Sequence, residues 1–230
     1  MGRKGQQKRK ASYAVRTTPI KRQYVARAPP RNATISPFPI RQTRTITYCD
    51  AVRLNPTAGQ DVATYVFRAN SIFDPDKTGV GHKPYAHDTF ETLYSNYSVK
   101  SAVIDIQFAP DVLNPGAFKN CMVGVWNNDS TFTITDPTLV REQPGSTSKL
   151  LTVNDPISVR GQYMRNSRIP VFDQGEASAA FGANPVEILD FNIFMAGEAA
   201  DNLDNNNVVA FLKITYEVEM WDPKKLGASS

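Results

Sequence analysis

The sequence predicts an all-β protein of eight strands packed as two antiparallel sheets, a sandwich or jelly roll. Three observations predict it. Val208–Trp221 alternates without a break, placing Val208, Ala210, Leu212, Ile214, Tyr216, Val218 and Met220 on one face. Shorter stretches of the same texture recur upstream, separated by loops of Gly, Pro, Asn and Asp. Only one strong helix-start signal interrupts them.

In chain order, residues 1–43 are basic and contain Pro19, Pro29, Pro30, Pro37 and Pro39, with no amphipathic periodicity. Such a segment buries too little apolar surface to offset the entropy of ordering it, so it is expected to be disordered until bound. Thr45–Leu54 then alternates, with Ile46, Tyr48, Val52 and Leu54 on one face, and Val62–Arg68 is a short strand. Asp88-Thr-Phe-Glu91 reads as a capping box with Asp88 as N-cap. Phe90, Leu93, Tyr94 and Tyr97 follow at helical spacing, so a helix is expected near His87–Tyr97.

Ser98–Phe108 places Ala102, Ile104, Ile106 and Phe108 on one side, and Asn120–Trp126 is the next strand. A weaker helical turn is expected at Pro137–Glu142. Lys149–Val153 and Ile157–Met164 follow as shorter strands. Val186–Met195 is apolar on both faces, as in a strand covered on both sides. The expected organisation is therefore an arm at 1–43, a β domain at 44–223 and a short tail at 224–230.

Charge divides the chain in the same place. The first 49 residues contain no Asp or Glu, and the first 44 contain twelve Lys and Arg. From Thr45 onward there are fourteen Lys/Arg against twenty-two Asp/Glu, so a +12 segment precedes a −8 body. The arm is suited to a polyanion, and no basic patch is evident in the body's sequence. The residues expected to bind nucleic acid are Arg3, Lys4, Lys8, Arg9, Lys10, Arg16, Lys21, Arg22, Arg27 and Arg31. Tyr13 and Tyr24 lie between them and are suited to stack on unpaired bases. Lys8-Arg9-Lys10, ten further residues and Lys21-Arg22 approximate a bipartite nuclear-import pattern.

Other chemistries find little support. No phosphate loop, dinucleotide fingerprint or nucleophile elbow is present, so no catalytic residue and no cofactor is assigned. Two Cys and two His at no ligand spacing give no metal site. Cys49 and Cys121 read as two buried thiols. Asp74-Pro-Asp-Lys-Thr-Gly79 resembles the start of a calcium loop, but Tyr85 stands where an EF-hand needs Glu, so a turn held by Asp side chains is expected. No run is long and apolar enough for a membrane helix, no apolar face accompanies the arm's charge, and no secretory signal is visible.

One segment carries a resemblance. Tyr65-Val-Phe-Arg-Ala-Asn-Ser-Ile-Phe-Asp-Pro-Asp-Lys-Thr-Gly-Val-Gly-His-Lys-Pro-Tyr85, followed by Asp88-Thr-Phe-Glu-Thr-Leu-Tyr94, resembles capsid proteins of small circular single-stranded DNA viruses that encode a replication initiator. These are the CRESS-DNA viruses, circovirus-like in the broad sense. The basic arm and the long last strand ending Glu219-Met-Trp-Asp-Pro223 agree with that family in architecture.

The resemblance implies a single viral jelly roll, with the helix between its third and fourth strands or just before the latter. It also implies self-assembly of about 60 copies into an icosahedral T=1 shell. The packaged partner would be single-stranded DNA, with RNA left open, and the protein would reside in the virion and, during assembly, in the host nucleus, using the host import machinery. The competing reading is a cellular nucleic-acid-binding protein, ribosomal or chromatin-type, with a basic tail on a β domain.

Overall fold

Alternating apolar side chains need two sheets that face each other, and the computed structural model shows how the chain arranges them. It describes residues 38–56, 60–111, 118–129, 134, 136–168, 175–197 and 206–225. The strands are β1 (Arg41–Leu54), β2 (Val62–Arg68), β3 (Tyr94–Pro110), β4 (Cys121–Asn128), β5 (Thr147–Leu151), β6 (Ile157–Met164), β7 (Ser178–Ala180), β8 (Asp190–Ala196) and β9 (Val208–Pro223). Three short helices join them: α1 (His87–Leu93), α2 (Pro137–Glu142) and α3 (Arg165–Arg168).

One sheet runs β1-β9-β3-β6, with β7 paired to β3, and the other runs β2-β8-β4-β5. All pairings are antiparallel. Except at β4–β5 and β6–β7, the chain crosses from one sheet to the other at each step, and the strands interleave as a jelly roll. β9 is the spine: it pairs β1 along its length, from Arg41↔Trp221 to Leu54↔Val208, and pairs β3 on its other edge.

The even-numbered residues of β9, from Val208 to Met220, are all buried, as the alternation requires. Ile46, Tyr48, Val52, Leu54, Ala102, Ile104, Ile106 and Phe108 join them between the sheets. Two core tyrosines keep their hydroxyls satisfied: Tyr216 donates to the Arg68 carbonyl at 2.8 Å and Tyr97 to the Ala183 carbonyl at 2.8 Å.

β8 is buried at every position, as its two apolar faces predict. Its Phe194 and Ala196 pack outward with Val62, Trp126, Ile134 and Val140 in a second cluster. Val140 belongs to α2, whose N-cap Asp136 accepts a hydrogen bond from the Thr138 amide at 2.8 Å, with Pro137 opening the first turn. Gly124 on β4 has no side chain because the Phe194 ring would lie 2.7 Å from a Cβ there, and the Thr147 carbonyl closer still.

Several expectations change. β1 starts at Arg41, so Arg41 and Arg44 are strand residues. A three-residue strand, β7, adds to the expected eight, and two helices add to the one, α2 falling where the weaker turn was expected. β8 begins at Asp190 rather than near Val186. α1 lies between the second and third strands, not the third and fourth.

The helix ends at Leu93, and Tyr94 and Tyr97 are buried strand residues of β3. Their helical spacing is coincidental with a strand that continues directly from the helix. Asp88 is not the N-cap: Ala86, at φ 67°, holds that position, and the Asp88 side chain is taken by Lys83 instead. Cys49 is exposed, because it occupies an odd, outward position of β1; Cys121 is buried, which pushes its thiol up to about 12.

Candidate nucleic-acid interface

All of the arm residues expected to bind nucleic acid, Arg3 to Arg31, lie outside the described residues, as do the import residues Lys8, Arg9, Lys10, Lys21 and Arg22. What the structure does describe is the body's loops and its outer sheet faces.

The Tyr65–Tyr94 segment forms a polar clamp. Asp76 Oδ1 accepts from the Thr78 amide at 2.9 Å and the Thr78 hydroxyl at 2.8 Å, and Gly79 follows at φ 77°, so the Asp side chain holds the turn as expected. Asp76 Oδ2 accepts from the Tyr65 hydroxyl at 2.8 Å, and Arg68 pairs Asp74 at 2.7 Å. Asn70 donates to the Glu187 carbonyl and Ser71 to Asn184 Oδ1, both at 2.7 Å, which ties this loop to the one before β8.

Both histidines serve packing. His82 stacks on Tyr48 at 4.6 Å between centroids, and His87 is buried against Phe181. His87, Asp88 and Glu91 converge, but Lys83 Nζ already sits 3.0 Å from Asp88 and 3.4 Å from Glu91. That contact holds the Asp88 carboxyl below its ordinary value and the Lys83 ammonium above its own.

Asp190, 2 % exposed, closes the clamp against Lys77, and its Oδ1 has no hydrogen-bond partner among the described residues. Burial raises its carboxyl pKa, and Lys77 pulls it partly back. Lys77→Ala therefore raises that pKa further. Between the unfolded and the raised folded value the native state holds more protons, so stability falls as pH climbs through this window. The variant is expected to lose about 3 kcal/mol at neutral pH, shrinking towards about pH 4. Urea midpoints across pH check this; a pH-independent loss contradicts the assignment.

The outer face of the β1-β9-β3-β6 sheet corrects the expectation that the body lacks a basic patch. Lys149 of β5, Arg160 of β6 and Lys213 of β9, far apart in sequence, line one open groove of about 660 Å³ with Phe211, Gln107 and Asp105. Registers place Cys49, Lys213, Asp105 and Arg160 in one cross-strand row, and Ala51, Phe211, Gln107 and Ser158 in the next. Asp105 accepts from Arg160 Nε at 2.6 Å, and Lys149 Nζ donates to the Ser158 carbonyl at 2.7 Å. Phe211 is 52 % exposed. A Phe among the outward, polar residues of β9 was the one signal of this groove available in the sequence.

No family model matches the chain, and no curated protein matches it. Solved structures do. Mud crab tombus-like virus aligns over 96 % of this chain and 96 % of its own, at 12 % identity and a TM-score of 0.46. The semi-empty virus-like particle of giant freshwater prawn Macrobrachium rosenbergii nodavirus covers 84 % of this chain and all of its own, at 9 % identity and a TM-score of 0.46. The 60-mer BFDV capsid protein covers 84 % and 100 %, at 12 % identity and a TM-score of 0.42.

Proposed function

We propose that this chain is a viral capsid protein of the circovirus-like, single-stranded DNA type. It assembles through its jelly-roll body into an icosahedral shell and packages single-stranded nucleic acid with its N-terminal arm. The observation that carries this is the separation of charge, +12 in the first 44 residues and −8 in the rest, on a chain whose rest is one jelly roll. A shell subunit needs a rigid tile and an extensible cation. The arm can reach about 150 Å when extended, ample for a shell interior. The role is structural, with no catalytic step assigned.

Loop residues supply candidate subunit contacts. Val80, Tyr85 and Val186 are large apolar side chains left open to solvent, Tyr85 at 88 %. They lie on the two loops that the Asn70 and Ser71 hydrogen bonds join, so a neighbouring copy covering them would meet a pre-formed surface. Import into the nucleus through Lys8, Arg9, Lys10, Lys21 and Arg22 belongs to the same reading.

Deleting residues 1–37 tests it. The first described strand begins at Arg41, so the variant is expected to keep its β circular dichroism while its particles carry far less nucleic acid, read by the 260/280 nm absorbance ratio. Unchanged packaging by the deleted form contradicts the role given to the arm.

A further inference from the structure

The groove on the β1-β9-β3-β6 face joins a half-exposed aromatic ring to three cations in a body that is otherwise acidic. We propose that it is a second contact site for single-stranded nucleic acid, in which one base stacks on Phe211 and the adjoining phosphates meet Lys213, Lys149 and Arg160. This deepens the packaging reading and rests on it.

Phe211 stands on β9, a central strand, and its cross-strand neighbours are Ala51 and Gln107. Ala51 is too small to cover the ring, so a ring face is open to a flat partner. Lys213 is two residues along the same face, about 7 Å away, a spacing comparable to that between a base and its own phosphate. It has no ion pair among the described residues. Arg160 is held by Asp105 through Nε alone, which keeps the rest of its guanidinium for an acceptor. Three cations against the single carboxylate of Asp105 give the groove a positive sign. Further along the same face stand Glu217 and Glu219, which repel a polyanion and favour its passage over the Phe211 end. Stacking on one ring with phosphate contacts around it binds single strands without reading their sequence.

The test is photocrosslinking. Full-length protein is mixed with an iodouracil-substituted oligothymidylate before assembly, irradiated, digested and mapped by mass spectrometry. The wild type is expected to crosslink at Phe211 as well as in the arm. The variant with Arg3, Lys4, Lys8, Arg9 and Lys10 changed to Ala is expected to keep the Phe211 crosslink. Phe211→Leu is expected to lose that crosslink and bind about ten-fold more weakly at an unchanged melting temperature. Lys213→Gln is expected to flatten the log–log salt slope by about 0.7. Crosslinks confined to residues 1–43, or unchanged affinity in Phe211→Leu, overturn the groove and leave the arm's role standing. Failure of the wild type to bind the oligonucleotide overturns both.

Discussion

Replacing Ile214 by alanine is expected to destabilise the domain by about 2–5 kcal/mol. Ile214 is fully buried at the middle of β9, paired with Tyr48 on β1 and with Ile104 on β3. Its neighbours are held by two strand ladders, so they cannot collapse into the space left behind. The cost is then the lost transfer energy of the side chain plus the cavity that remains. Thr215, the next residue, faces outward, and Thr215→Ala is expected to stay within about 0.5 kcal/mol. Denaturant midpoints with a common slope compare the two. An Ile214→Ala protein as stable as Thr215→Ala means that the inward face of β9 has been misassigned.

The second large effect lies in the arm. Changing Arg3, Lys4, Lys8, Arg9 and Lys10 to Ala is expected to flatten the salt dependence of single-strand binding by about three to four units in log–log slope. Each neutralised phosphate on a single strand releases counterions worth about 0.7 of slope, and five cations are removed. The ten cations that precede β1 set a limit of roughly −7 for the arm, before any contribution from the groove. Binding weakens alike for all sequences, because phosphates carry no base information. The same substitutions remove the first import cluster, so nuclear accumulation is expected to fall as well. Fluorescence titrations over a salt series measure the slope; an unchanged slope assigns binding to the body instead.

Strand content and facing were legible because burial on one side of a sheet forces period 2. β9 and β3 show this best, and β8 shows the related case, in which apolar residues on both faces foretell a second cover supplied in part by α2. The helix was legible as an element but not in its limits. Tyr94 and Tyr97 fit the helical spacing, yet cross-strand pairing with β9 wins once the chain enters the sheet. β7 has only three residues and no pattern that distinguishes it from a loop. Cys49 was misplaced because an isolated apolar residue does not reveal which face of its strand it occupies; the alternation of Tyr48 and Val52 decides it.

The arm was the most legible functional feature, since charge and the absence of acids need no fold to be seen. The groove was nearly invisible. Lys149, Arg160 and Lys213 are scattered among acids along the chain, and only the strand order β9-β3-β6 brings Arg160 and Lys213 together. Net charge averaged over the body hid a local reversal of sign.

Negative-stain electron microscopy of the purified full-length protein tests the proposed shell most directly. Closed particles of uniform diameter, far larger than a 25.5 kDa subunit, are the predicted result. A field containing only monomers or small oligomers, under conditions where the protein is folded, contradicts it.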